Sequence, residues 1–222
     1  MSNKVILFGD LMSQPTRAVL WFMILNKIPY EFRLISIRNM EQRSKEFEKI
    51  NPFKKLPVIQ YENQRLFESH TILRWLSQQF KLPQYYDYND LNNRCKVDMY
   101  LDWHHLGLRK ATAGLFFQKF ILPKFGKSES EDMVKDAELN IPRAFKEIES
   151  IFLANGNNNY LIGDQVTIAD FSCYCEINQL EALNFDFKPY PILTNWMERM
   201  KQFNGFEESH KIIHKIASQS RL

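Results

Sequence analysis

The chain has 222 residues, 45% of them hydrophobic and 14% aromatic, with 29 basic side chains against 26 acidic ones and a net charge of +3. That is enough apolar material for one large or two small domains, and the near-balance of charge gives no signature of a nucleic-acid partner. Three cysteines, Cys95, Cys173 and Cys175, are too few and too irregularly spaced for a disulfide scaffold, and they point to a reducing, cytoplasmic compartment.

The first strand expected is "KVILF", Lys4–Phe8, a short apolar run of the kind found in a central strand. Its apolar stretch is too short for a signal peptide. "DLMSQPTRAV" turns the chain at once into a helix, with Pro15 in the first turn, where no N–H is required. The apolar run that follows, Ala18–Leu25, is far short of the ~20 residues of a membrane span. The helix should end near Asn26. "YEFRLIS" alternates Tyr30, Phe32 and Leu34 with Glu31 and Arg33, as a half-buried strand does. Ser44 can cap a short helix, "KEFEKI". A strand around Pro57–Tyr61, the turn "ENQ" and the strand "RLF" come next, and Ser69 opens a helix as its N-cap. The order is β-α-β-α-β-β-α.

"KLPQYYDYNDLNN" is aperiodic and reads as a linker. Beyond it we expect only helices: a long stretch from Leu91 to about Leu122, another from Ser130 to Ala154, and a third opened by Thr167 with Asp170 three residues on, in a capping-box pattern. Pro189 and Pro191 precede a fourth, and "GFEESHKIIHKIASQ" forms the last. Small-molecule chemistry is expected between the α/β part and the helical part, since pockets favour domain interfaces.

Three places carry candidate chemistry. Ser13 stands just before a helix. It fits an ordinary capping role, but its hydroxyl and the helix N-terminus can also stabilise an anion, a thiolate included. A Ser-His-Asp hydrolase is disfavoured, because G-x-S-x-G is absent and no histidine lies nearby in sequence. In "FESHTI", Glu68 and Ser69 can cap a helix or can bind the ammonium and carboxylate of an α-amino acid. In "KKLPV", a cis Leu56–Pro57 bond would expose the Leu56 backbone to an extended peptide, with Lys55 and Arg43 able to attract a carboxylate. No metal is expected. His210 and His214 lack the glutamate and third ligand of a zinc helix and read as a solvated face. His104 and His105 point different ways on a helix, as do Cys173 and Cys175.

In their order, "DLMSQPTRAV", "SKEFEKINPFKKLPV", "FESHTILRWL", "YLDWHHLGLRK" and "LIGDQVTIADF" resemble a cytosolic glutathione transferase, over essentially the whole chain. The first segment resembles the theta class, where a serine replaces the tyrosine or cysteine of other classes. The resemblance implies a GST fold, α/β plus all-α: a thioredoxin-like glutathione-binding domain over 1–80, a linker over 81–92, and a helical-bundle domain over 93–222 contributing the electrophile site, in a homodimer. It implies glutathione as co-substrate, with Ser13 donating to its sulfur, Leu56 pairing with the cysteinyl part, Glu68 and Ser69 holding the γ-glutamyl end, and Lys55 and Gln42 near the glycyl carboxylate. "TIADF" would be a structural capping box.

Gln42 replaces a histidine that many theta enzymes carry, so a weaker hold on glutathione is expected. The chain ends at Leu222, soon after the last helix, so a more open site is expected than in relatives with a longer tail. Arg109 matches an arginine that theta relatives place near the electrophile. Met12, Trp103, His105, Phe116 and Phe117 are the remaining candidates for that pocket, although aromatic and Met residues at helical spacing more often form core. The implied activity is transfer of the glutathione thiolate to small hydrophobic electrophiles, in detoxification, with peroxidase or dehalogenase side activities. The rivals are a ligand carrier or protein-interaction module on the same scaffold, and a thiol–disulfide oxidoreductase, which would need a cysteine near the first helix that residues 1–94 lack.

Overall fold

The computed structural model describes residues 4–219. Strands β1 (Val5–Gly9), β2 (Tyr30–Leu34), β3 (Val58–Tyr61) and β4 (Gln64–Phe67) form one sheet in the order β2-β1-β3-β4. β1 runs parallel to β2 and antiparallel to β3, and β3 and β4 make a hairpin. The crossover from β1 to β2 is helix α1 (Gln14–Leu25). The short helix α2 (Lys45–Glu48) starts at Ser44, whose Oγ accepts from the Phe47 N–H at 3.0 Å, and α3 (Ser69–Gln79) follows the hairpin. β1 is apolar throughout because both its faces are covered. Val5 and Leu7 enter the main core, while Phe8 packs on the other side with Phe47 and Val58. Leu34, expected to point inward with Tyr30 and Phe32, is 62% exposed, since β2 is an edge strand and the chain leaves the sheet there.

Past Gln79 no helix or strand occurs until α4 (Leu91–His104). This helix continues through a π-helical turn, His105–Arg109, into α5 (Lys110–Phe116), a second π turn, Phe117–Ile121, and α6 (Leu122–Lys124). α7 (Glu131–Glu147), α8 (Ile168–Asn178), α9 (Pro191–Met200) and α10 (Phe206–Gln219) complete the described residues; Leu222, where the chain was expected to leave the site open, lies outside them. Every residue of α8 is buried. Its capping box forms as expected, and Asp170 also accepts from the Leu161 N–H and Trp196 Nε1, so four donors satisfy one buried carboxylate.

α1 is apolar around its whole circumference because the sheet lies on one side of it and α8 and α10 on the other. Trp21 meets Phe171, Tyr174 and His210 edge-on with ring centroids 5.0–5.4 Å apart, and its Nε1 donates to the Asn204 carbonyl. His210 is therefore not on a solvated face. It is fully buried, with Nε2 3.4 Å from Cys175 Sγ and Nδ1 2.9 Å from the Phe206 carbonyl oxygen. The charged residues around it in sequence, Glu207, Glu208 and Lys211, belong to the outer, exposed face of α10.

Candidate active site at the start of the first helix

The corner between β1 and α1 is held from four directions. A Cβ on Gly9 would run into the Thr16 methyl, so only glycine lets the strand end this close to the helix. The Asp10 carboxylate accepts from the N–H groups of Met12 and Ile37, both at 2.9 Å, which ties the loop to the chain after β2. The buried Arg17 guanidinium reaches back to the Leu11 carbonyl at 2.9 Å and across to the Cys175 carbonyl on α8, also at 2.9 Å. Gln14 donates to Gln179. Ser13 is left as the N-cap, extended at φ −82° and ψ 118°, with Oγ accepting from the Thr16 N–H at 3.4 Å. Accepting that long bond leaves the hydroxyl hydrogen for another acceptor.

A second group converges beside it. Asn51 donates to the Lys55 carbonyl at 2.8 Å and accepts from the Phe53 N–H, which shapes the loop leading to a cis Leu56–Pro57 bond. Glu68 is itself the N-cap of α3, at φ 68° and ψ 109°, a strained backbone for any residue but glycine. Ser69, expected as the cap, is instead the first helical residue, at the positive end of the helix. Lys55, Leu56, Glu68 and Ser69 line one polar cavity of about 120 Å3, closed from the helical side by His70, His104, His105, Arg109, Ser172 and Glu176.

His104 and His105 thus share a cavity rather than pointing apart. The π turn at His105–Arg109 is wider than an α-turn, and its i→i+5 repeat brings Arg109 round under His104. Arg109 meets Glu176 Oε2 at 2.6 Å and His104 Nε2 lies 3.6 Å from the same oxygen. Gln179 and Thr112 donate to Oε1 at 2.6 and 3.2 Å. Burial alone would raise the Glu176 carboxyl, but Arg109, His104 and Gln179 outweigh it and hold it at about 2. Burial lowers His104, against the pull of Glu176. His70 bonds Ser172 Oγ at 2.7 Å and is pushed well below 6.5 by burial and by the neighbouring His104, His105, Arg74 and Arg109. His70, His104, Ser172 and Glu176 were not singled out as site residues from the sequence. The signals for them were an acid in the apolar run "FSCYCEINQL" and the histidine following Ser69.

A second, apolar cavity of about 500 Å3 is lined by Met12, Ile37, Arg38, Ile121, Lys124 and Phe125; Ser13, which is 8% exposed, lines neither cavity, but Met12 and Pro15 beside it in sequence line one each. The expected electrophile residues are split by this arrangement. Met12 lines the apolar cavity and packs with Phe116, which is 3% exposed and stands behind it, while His105 and Arg109 line the polar one. Trp103 is in neither: it donates to Glu147 at 3.1 Å and packs on Tyr100 and Phe152. Phe117 is 47% exposed on the next face of the helix. Gln42, on the 3-10 turn Glu41–Arg43, lines neither cavity; its Nε2 lies 3.9 Å from Met40 Sδ and its buried Oε1 has no protein partner. Among the described residues no three His, Cys, Asp or Glu side chains group as a metal site, and no helix is long and apolar enough to cross a membrane. Cys173 and Cys175 are buried and their thiols are pushed up, Cys175 to about 12 by burial against Arg17.

A four-stranded thioredoxin-like sheet with a serine at the start of its first helix, joined to a helical part across a polar cavity, is the architecture of glutathione transferases. Family models described as glutathione S-transferase N-terminal domain and C-terminal domain match residues 13–79 and 112–202. The glutathione S-transferase T1 of Arabidopsis thaliana is 35% identical over 222 residues, covering 96% of this chain and 90% of that one, and human glutathione S-transferase theta-2B is 35% identical over 218 residues, covering 96% and 88%. The crystal structure of human theta-2 with glutathione and an unknown ligand superposes with a TM-score of 0.90 at 33% identity over 98% of this chain and 90% of that one. A human theta-class enzyme with the glutathione conjugate of 1-menaphthyl sulfate gives 0.90 at 34%, with the same coverage. The chain belongs to the glutathione S-transferase family, with theta-class enzymes among its close relatives, and that kinship supports an enzyme of glutathione conjugation.

Proposed function

We propose that this chain transfers the thiolate of glutathione to small hydrophobic electrophiles, with the Ser13 hydroxyl donating a hydrogen bond to the sulfur. The observation that carries the reading is the place of Ser13 at the N-terminus of α1, between Pro15 in the polar cavity and Met12 in the apolar one. Glutathione is polar at both ends and its thiol lies in the middle. Glu68 would take its ammonium, the Ser69 end of α3 its γ-glutamyl carboxylate, the Leu56 backbone its cysteinyl unit, and Lys55 its glycyl carboxylate. Gln42 is assigned to that glycyl end as well, where its amide N–H2 can donate to the carboxylate but cannot replace a positive charge. Residues 1–80 would bind glutathione and 93–222 would supply the electrophile side, in a cytosolic homodimer.

The energetics are of the right size. A free thiol titrates near ~8.5, so lowering it by one unit needs about 1.4 kcal/mol of selective thiolate stabilisation. A hydrogen bond to a charged acceptor is worth ~1.5–3 kcal/mol, and the helix N-terminus adds to it. The sulfur then forms its bond to carbon, the leaving group departs with its electron pair, and the thiol proton goes to water.

Ser13→Ala is expected to lower kcat/KM about 10- to 100-fold while calorimetric glutathione affinity changes little. The absorbance of bound thiolate should titrate at higher pH in the variant. A fully active Ser13→Ala, or an unmoved thiol titration, overturns the assignment. A wild type that binds glutathione and conjugates none of a panel of alkyl and aryl halides, epoxides and hydroperoxides is a carrier on the same scaffold.

A further inference from the structure

The apolar cavity has a charge pattern that holding a neutral electrophile does not require. Four of its lining residues, Met12, Ile37, Ile121 and Phe125, are apolar; the other two, Arg38 and Lys124, are cations, and no acid lines it. Some other surface cations sit on acids, as Lys119 does on Glu129 at 2.8 Å, Arg33 on Glu31 at 2.7 Å and Lys54 on Glu48 at 3.0 Å. Among the described residues no ion pair includes Arg38 or Lys124. Nor does Lys124 extend freely into solvent, since its ammonium stands 4.0 Å from the centroid of Phe120, which is stacked on Phe116. The charge is held beside a cavity that Met12, the neighbour of Ser13, also lines.

Resting on the conjugation reading above, we propose that this cavity selects electrophiles that are amphipathic anions: an apolar body bearing the reactive carbon at one end and a carboxylate or similar group at the other. A volume of about 500 Å3 accommodates a substituted aryl or alkyl body. Low-dielectric walls between two unpaired cations concentrate a positive potential at the mouth. The reacting carbon would lie on the Met12 side and the anion between Arg38 and Lys124. With 4-(chloromethyl)benzoate the sulfur–carbon bond forms, the carbon–chlorine bond breaks with its electron pair leaving on chloride, the thiol proton passes to water, and the carboxylate is retained in the product.

The test compares 4-(chloromethyl)benzoate with its methyl ester, each catalysed rate divided by the uncatalysed one, in wild type, Arg38→Gln, Lys124→Gln and the double variant. Affinities for the two pre-made glutathione conjugates are measured in parallel by calorimetry. Wild type should prefer the carboxylate, each single variant should lose about two- to fivefold of that preference, and the double variant should lose all of it. Added salt should erode it in wild type. The proposal is overturned if the double variant keeps the preference, or if the ester is preferred throughout. It is also overturned if the substitutions raise the glutathione KM with the preference intact, since the cations then serve the carboxylates of glutathione itself. If wild type turns over neither compound yet binds the carboxylate conjugate more tightly through the same two cations, conjugation fails and charge selection stands. Failure to bind either conjugate sinks both.

Discussion

The two cavities lined by Pro15 and by Met12, either side of Ser13 in the sequence, are built on opposite principles. In the polar one, part of the lining is fixed by a buried network: Glu176 has four partners, His70 is bonded to Ser172 and His104 to Tyr100. In the apolar one, Phe125 is 44% exposed, Arg38 and Lys124 are exposed, and among the described residues no ion pair joins the lining side chains. A buried network recognises one shape, because any unmade bond costs the full desolvation of its partner. A half-open apolar chamber sorts apolar bodies by size, at about 1–3 kcal/mol per methylene, and on the proposal above its two cations add a choice of charge. On the conjugation reading, the site is strict toward glutathione and lax toward the body of the electrophile.

The largest effect expected from breaking this contrast is at Arg109. Glu176 is 1% exposed, and Arg109→Met leaves its carboxylate with only neutral partners. Removing one member of a buried pair costs ~3–5 kcal/mol. Arg109 is itself a third exposed, so a loss near the lower figure, about 3 kcal/mol, is expected in urea unfolding. The double variant Arg109→Met/Glu176→Gln should recover part of the loss, because the stranded charge is gone. A double variant whose loss equals the sum of the losses of Arg109→Met and Glu176→Gln made singly would mean that the pair is not coupled.

Next in size is the response to acid. His70 and His210 titrate well below 6.5 in the folded chain, and His104 is lowered too, all chiefly by burial. The unfolded chain takes up protons near 6.5 that the folded chain refuses, so stability is complete above that pH and falls as pH drops below it. Glu176 acts later and with the same sign: from its ordinary value of 4.5 down to about 2, the unfolded state alone binds a proton. The melting temperature should be flat between pH 8 and 7 and decline below about 6.5. His70→Gln should make the decline shallower.

What was legible in the sequence divides along the same line. The strand and helix order, the corner at Ser13, the capping box at Thr167 and Asp170, and the grouping of Lys55, Leu56, Glu68 and Ser69 could be read because each depends on residues close together in the chain. The polar network could not, because it joins positions 104 and 109 to 176 and position 70 to 172, and a π turn changed which residues share a face. Periodicity assumes an α-helix, and one wider turn is enough to bring His105 and Arg109 into one polar cavity with Glu68 and Ser69. His210 misled for a related reason: the charged residues beside it lie on the outer face of α10, while the residue itself points into the core.

The smallest effect is expected where the lining is least constrained. Phe125→Ala removes part of the wall of the apolar cavity and opens it further. The ring is 44% exposed, so truncation forfeits only part of the ~1.5–3 kcal/mol that full burial of such a side chain carries. Folding stability should move by less than ~0.5 kcal/mol, as for surface sites. The same truncation should raise the KM for a bulky aryl electrophile about two- to fivefold, lower it or leave it level for a small alkyl halide, and leave the glutathione KM alone. Steady-state kinetics with the two electrophiles, each varied at saturating glutathione, separates these outcomes. A change in glutathione KM of the same size would mean that the two cavities are coupled through the loop at Met12 and Ser13, and that the lax side of the site helps to hold the strict one.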